Sequence, residues 1–157
     1  MEDNEPTVVI RLAERRDIAA IVALFADDSV GGHGDTTEQP ARAAYEAAFD
    51  AIAANPFSHL YVAEREGQVV GTFQTTLLTG MAERGASRLF LTAVQTRRDM
   101  RSRGIGGAMV RHAIGEARMA GAAAIQLSSN SLRLDAHRFY EREGFVKSHT
   151  GFKMELR

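Results

Sequence analysis

The apolar positions change their period along the first third of the chain, and each change predicts a new element. Residues 8–13 alternate apolar and polar side chains, which predicts a strand. A helix is expected next, because apolar residues then recur at helical spacing behind Asp17, a residue type that can cap a helix. A second helical pattern covers 41–54 and ends at Asn55-Pro56, since proline disfavours a helical conformation in the residue before it.

The middle of the chain returns to strand-like alternation. Residues 59–64 and 69–78 are rich in β-branched and aromatic side chains, and Glu66-Gly67 between them indicates the turn of a hairpin. A further strand is predicted over 89–96. It leads directly into a stretch in which three glycines and two arginines lie close together, at 101–108.

The last third alternates helices with short strands. Apolar residues at four-residue steps predict a helix over 105–120, with Gly121 as its C-terminal cap. A buried strand is expected at 123–128, a helix at 136–144, and two closing strands at 145–149 and 152–156. This order predicts an α/β domain spanning residues 1–157, in which helices cover the faces of a mixed sheet.

Composition narrows the function classes without selecting one. The chain has 157 residues, 45% hydrophobic and 25% charged, which are values typical of one globular domain. Its net charge of −1 gives no general attraction for nucleic acid or for an acidic membrane. The absence of cysteine excludes thiolate metal sites and a cysteine nucleophile. An acidic N-terminus and the lack of a long apolar run favour a cytoplasmic protein, and five scattered histidines indicate no metal site.

The glycine-rich stretch is the best candidate for a binding site. Glycine lets the backbone turn sharply and approach a ligand closely. The first amides of a helix have no intrahelical acceptor and carry the positive end of the helix dipole, so a strand, a glycine turn and a helix start together favour a phosphate group. Arg101 and Arg103 can add charge-assisted hydrogen bonds.

Two motifs together carry a resemblance to a known family. Arg101-Ser102-Arg103-Gly104-Ile105-Gly106 resembles the Arg/Gln-x-x-Gly-x-Gly/Ala pattern of the GNAT superfamily of N-acetyltransferases. Residues 136–145, which read AHRFYEREGF, resemble the Ala-x-x-Phe-Tyr-x-x-x-Gly-Phe signature near the end of the same domain. The resemblance covers nearly the whole chain. It implies a GNAT (acyl-CoA N-acyltransferase) fold, with about seven strands in a mixed sheet that splays between two parallel strands, and about four flanking helices.

The resemblance also implies a cosubstrate, acetyl-CoA, and the residues that would bind it. The diphosphate would rest on the glycine turn, the pantetheine arm would pair with the preceding strand, and residues 128–130 would border the gap from the neighbouring strand. The implied cofactor-binding residues are Val94, Gln95, Thr96, Arg101, Ser102, Arg103, Gly104, Ile105, Gly106, Gly107, Ala108, Asn130 and Tyr140.

The catalytic roles follow from the same resemblance. Tyr140 corresponds to the family tyrosine near the thioester sulfur, which implies a general acid, and an amide of the preceding strand would bind the oxyanion. The resemblance supplies no general base, because Thr92 stands where many relatives carry a glutamate and threonine cannot act as a base at neutral pH. Glu83, His33 and His149 are the candidate substitutes.

These observations leave three functions open. The first is transfer of an acetyl group from acetyl-CoA to the primary amine of a small molecule within a ternary complex. The alternatives are a non-catalytic acyl-CoA-binding domain, suggested by Thr92, and acetylation of a protein lysine or N-terminus. The loops 28–40 and 79–87 carry mixed charges and indicate no polycationic acceptor. The expected partner is a small-molecule amine, and no binding to nucleic acid or to a membrane is expected. The sequence leaves open whether the chain forms a homodimer.

Overall fold

A computed structural model describes residues 6–28 and 34–156 and contains a five-stranded mixed sheet. The strands follow one another in the sheet in chain order: β1 (Val9–Leu12), β2 (Ser58–Arg65), β3 (Gln68–Thr79), β4 (Ser87–Thr96) and β5 (Ala124–Gln126). The helices are α1 (Ile18–Ala26), α2 (Arg42–Ala54), the four-residue α3 (Ala82–Gly85), α4 (Ile105–Met119) and α5 (Leu134–Arg142). Among these described helices, none has the length and hydropathy that a membrane span requires.

The chain divides into two compact units, Met1–Leu127 and Ser128–Arg157. The whole sheet lies in the first unit. Strands β1 to β4 form an antiparallel meander, and β5 adds to β4 in parallel. The predicted hairpin turn is confirmed, since Glu66 and Gly67 both have a positive φ, at 51° and 75°, as a tight two-residue hairpin requires.

Helices cover both faces of the sheet, and the alternation along β2 shows which face each helix covers. The ring of Tyr61 packs against His112 of α4, with ring centroids 4.8 Å apart. The side chains at the alternate positions of β2 point to the opposite face. One of them, Glu64, binds Arg11, which also binds Asp17 directly before α1. Helices α1 and α4 therefore lie on opposite faces of the sheet.

Helix α4 lies close to the sheet because β3 has a glycine beneath it. An ideal Cβ built on Gly71 would lie 2.9 Å from the Sδ atom of Met109, so a larger residue would force the helix outward. The other end of α4 confirms the predicted cap. Gly121 has φ 69°, and the amides of Gly121 and Ala122 donate to the carbonyls of Arg118 and Ala117, which is a Schellman motif.

Asp17 does not cap α1 as predicted. Its carboxylate accepts the amide of Glu14 at 2.7 Å and two hydrogen bonds from the Arg11 guanidinium, at 2.7 and 2.9 Å. A 3₁₀ turn, Arg15–Asp17, precedes α1, so the carboxylate points back to the start of that turn and to β1. The result is a link between strand and helix instead of a cap.

The second unit contains α5 but not the two closing strands predicted at 145–149 and 152–156. The described residues of this segment form no strand ladder, and Val146, Phe152, Met154 and Leu156 are mostly exposed. Apolar alternation favours a strand, but a strand forms only where another strand supplies its hydrogen-bond partners. The predicted α/β mixed sheet is therefore confirmed with five strands instead of about seven.

Candidate active site

The parallel pairing at the end of the sheet is short. Strand β5 pairs with β4 over three rungs, the last of which joins Phe90 to Gln126. Strand β4 then continues for six residues to Thr96. Within the described ranges, no strand pairs with that side of β4 beyond Phe90. A length of strand edge with free backbone groups is a place where an extended ligand can add hydrogen bonds.

A β-bulge interrupts β4 within this unpaired stretch. Thr92 pairs with Gln74 and Gln95 pairs with Thr72, so Ala93 and Val94 together oppose the single residue Phe73. Ala93 adopts φ 53°, a conformation that costs a residue with a Cβ roughly 1–2 kcal/mol. Bulges of this kind redirect backbone groups and are frequent beside active sites. The sequence pattern did not indicate this bulge.

The turn after β4 presents a run of free amides. Among the described residues, no protein acceptor is found for the six consecutive amides of residues 102–107, and the first bond of α4 joins the amide of Ala108 to the carbonyl of Gly104. Ser102 and Gly104 have positive φ values, 62° and 78°, and left-handed residues within a turn are typical of loops whose amides can bind an anion. These six amides belong to residues predicted to bind the phosphate, which stays a prediction, whereas the amide of Arg101 already donates to the carbonyl of Arg98.

A second feature, at the end of the parallel pairing, fits an extended polar ligand. The side-chain oxygen Oε1 of Gln126 is buried and has no hydrogen-bond partner in the described part of the chain. Gln126 belongs to the last rung before β4 continues without β5. Since a buried polar atom without a partner is costly, this atom favours a ligand that supplies one.

On the α1 face, a carboxylate lies against the far end of β4. The side-chain amide of Gln95 donates to Oδ2 of Asp28 at 3.0 Å. Arg98 holds the preceding residue, since its guanidinium donates to the carbonyl of Asp27 at 3.0 Å. Two acidic residues at the C-terminal end of a helix oppose its dipole, which is a signal in the sequence that could have drawn attention to Asp28.

Of the three predicted substitutes for the general base, Glu83 does not lie at the bulge. Glu83 pairs with Arg88 near the start of β4, and five residues of extended strand, about 16 Å, separate Arg88 from Ala93. His149 lies on the exposed C-terminal segment, where its Nδ1 contacts the hydroxyl of Ser148 at 2.6 Å. His33 lies outside the described residues.

Tyr140 and Asn130 belong to the second unit. Tyr140 lies on α5, where its ring contacts Phe139 and Phe145 at centroid distances of 5.1 and 5.8 Å. Burial raises the pKa of its hydroxyl and Arg133 partly opposes the shift, so the group stays protonated at neutral pH, as a proton donor must. The Oδ1 atom of Asn130 accepts the amide of Leu132 at 2.9 Å and shapes the turn before α5.

The match to a known family decides the class of the protein. The model of the acetyltransferase (GNAT) family matches residues 18–145. The chain belongs to the GNAT family. It is 36% identical to the aminoalkylphosphonate N-acetyltransferase of Salmonella typhimurium (strain LT2) over 118 residues, which are 71% of this chain and 74% of that protein. The resemblance read from the two motifs is thus confirmed, and the chain is an N-acetyltransferase of this family.

Solved structures confirm the fold of this GNAT chain. A transcriptional regulator from Bacillus halodurans C-125 is 35% identical and superposes with a TM-score of 0.92, over 96% of this chain and all of that one. A Clostridium acetobutylicum acetyltransferase solved with acetyl-CoA is 18% identical, with a TM-score of 0.73 over 96% of this chain and 97% of that one. The second likeness bears on the fold alone.

Proposed function

We propose that this GNAT protein transfers the acetyl group of acetyl-CoA to the primary amine of a small molecule that also carries an anionic group, such as an aminoalkylphosphonate. The observation that carries the proposal is the continuity between the unpaired edge of β4 and the six free amides of residues 102–107. An acyl-pantetheine arm and a diphosphate require such surfaces in that order. The amine follows from the family, and the phosphonate from the relative that acts on one.

The residues of the first unit fit acetyl-CoA on several independent grounds. The free amides of the turn would bind the diphosphate, with Arg101 and Arg103 beside them, and the edge formed by Val94, Gln95 and Thr96 would pair with the pantetheine amides. The redirected backbone at the bulge supplies an amide for the oxyanion. These roles need no metal ion.

We propose that the carboxylate of Asp28 faces the amine that accepts the acetyl group. Its bond to Gln95 places it two residues along β4 from the bulge. A carboxylate there can bind the ammonium group of the acceptor and accept its proton, the role that Thr92 cannot perform. The neutral amine then attacks the acetyl carbon, the carbon–sulfur bond breaks, and Tyr140 remains the proposed proton donor to the departing thiolate.

The decisive experiment measures thiol release from acetyl-CoA with three matched amines: 2-aminoethylphosphonate, 2-aminoethanol and β-alanine. They share a primary amine on a two-carbon chain and differ in the group at the other end. The proposal expects the highest kcat/KM for the phosphonate. Binding of acetyl-CoA without thiol release for any amine would favour the acyl-CoA-binding alternative that Thr92 suggested, and equal rates for the three amines would refute the anionic acceptor.

A further inference from the structure

Arg65, the last residue of β2, is a buried cation without a partner in the described ranges. The residue as a whole is 7% exposed, and no hydrogen bond or ion pair to its guanidinium is found among those residues. Arg11 on the neighbouring strand shows the usual arrangement, since it is 21% exposed and binds both Asp17 and Glu64. Because a guanidinium forms strong charge-assisted hydrogen bonds and this one has no counter-ion among the described residues, Arg65 indicates a place that takes an anion.

The contacts between β2 and α4 show where the side chain of Arg65 lies along the helix. His59 contacts Glu116 at 2.6 Å, and Tyr61, two residues on, packs against His112, so a two-residue step along β2 matches one turn back along α4. The bulge between β2 and β3 lies in β3, so the alternation along β2 is unbroken. The next steps bring Ala63 and then Arg65 towards the first turn of α4.

The packing of Met109 supports this placement independently. Met109 lies over Gly71, the β3 partner of Ala63. Arg65 is two residues beyond Ala63 on the same face, about 7 Å farther along the strand. The first residue of α4, Ile105, is one turn before Met109 in the same direction. Arg65 is therefore directed at the N-terminal end of α4.

A lone cation at this place is unfavourable unless an anion lies between it and the helix. The N-terminal end of α4 carries the positive end of the helix dipole, and the amides of residues 102–107 have no protein acceptor in the described structure. Two positive groups facing each other repel, whereas an anion between them is attracted to both. The unpaired guanidinium and the free amides thus indicate the same ligand group.

We propose that Arg65 is a buried ligand for the phosphate groups of the acyl-CoA cosubstrate, approaching the first turn of α4 from the side of the sheet. This inference rests on the proposed function. It assigns to β2, far along the chain from the glycine turn, a role in holding the diphosphate. It also explains why a strand contains an arginine where its neighbours on that face, Tyr61 and Ala63, are apolar.

The test replaces Arg65 with methionine, which keeps an unbranched apolar stem of four atoms and removes the charge. Calorimetry would measure binding of acetyl-CoA, inorganic pyrophosphate and S-acetylpantetheine, which lacks the phosphates. We expect Arg65→Met to weaken acetyl-CoA and pyrophosphate ~10–100-fold, the loss typical of a charged hydrogen bond, and to leave S-acetylpantetheine unchanged. The free protein should be as stable as the wild type or more so, because the variant removes an uncompensated charge.

Arg11→Met is the matched control. Arg11 is paired, so its loss should lower the melting temperature without discriminating between the phosphorylated and unphosphorylated ligands. The same behaviour in Arg65→Met would overturn the inference, since it would show a structural arginine. If Arg65→Met does not fold, Arg65→Gln repeats the comparison. Failure of the wild type to bind acetyl-CoA would refute the proposed function itself, whereas wild-type binding that Arg65→Met retains in full refutes the role of Arg65.

Discussion

A neutral Thr92 and a carboxylate from another element lie near the same bulge. In this chain the side chain of Thr92 donates to the carbonyl of Gln74, and the acid is Asp28, from the end of α1. Its position opposes the helix dipole, and the hydrogen bond from Gln95 together with the anchor between Arg98 and Asp27 offsets that cost. An acid held against its helix dipole by neighbouring groups is better explained by function than by stability.

Asp28→Asn tests this reading. The amide keeps the size of the side chain but neither holds an ammonium group nor accepts its proton. We expect kcat/KM for the acceptor amine to fall ~10²–10⁴-fold, the range typical of a lost general base, while acetyl-CoA binds with unchanged affinity in calorimetry. Asp27→Asn is the control, since its side chain lies near Arg98 and is 55% exposed. Equal turnover in the Asp28 and Asp27 variants would remove Asp28 from the mechanism.

At the scale of elements, the turn between β4 and α4 shows what the sequence predicts well and what it does not. Glycines after an alternating strand and before a helical period predict a turn with free amides at the start of a helix, because that conformation is local, and the structure has this turn. The bulge escapes prediction because Ala93 does not favour a positive φ and adopts it under the pairing of β3 with β4. The sequence also does not predict roles for Asp28 and Arg65. Asp28 depends on its hydrogen bond from Gln95, and Arg65 on its burial near α4, and both neighbours are distant in the chain.

Two glycines at opposite ends of α4 allow a matched test of the turn. Gly104 and Gly121 have similar positive φ values, 78° and 69°, and an added Cβ would meet no protein atom within 4 Å at either. Glutamate should therefore lower the free energy of unfolding by a similar amount at both, about 1–2 kcal/mol. We expect Gly104→Glu to abolish acetyl-CoA binding, because its charge enters the anion site, and Gly121→Glu to retain it. Calorimetry and urea unfolding distinguish the two effects, and micromolar affinity in Gly104→Glu would contradict the site.

At the scale of the whole molecule, a cluster of three charged residues joins the sheet to the helix layer on the α1 face. Arg11 of β1 binds Glu64 of β2 and Asp17 at the start of α1. Two strands and a helix are thereby held together on the face opposite α4. Asp28, the carboxylate proposed to face the acceptor amine, lies just beyond the other end of the same helix, so this cluster fixes the helix on which Asp28 depends.

The cluster predicts how the stability of the first unit depends on pH. The hydrogen bonds from Arg11 and from the amide of Glu14 hold the pKa of Asp17 below its usual value, against the effect of burial. A carboxyl group whose pKa is lowered in the folded state stabilises the fold above the pKa that it has in the unfolded chain, near 4. It loses that contribution as the pH falls through its pKa in the folded state.

Asp17→Asn should lower the free energy of unfolding by about 2 kcal/mol at pH 7, measured in urea, and by much less at pH 2. Asp50→Asn, which breaks an exposed pair with Arg15, should change it by less than about 1 kcal/mol at either pH. If Asp17→Asn lowers the free energy of unfolding equally at pH 7 and pH 2, the stabilisation comes from packing and not from the charge of the carboxylate.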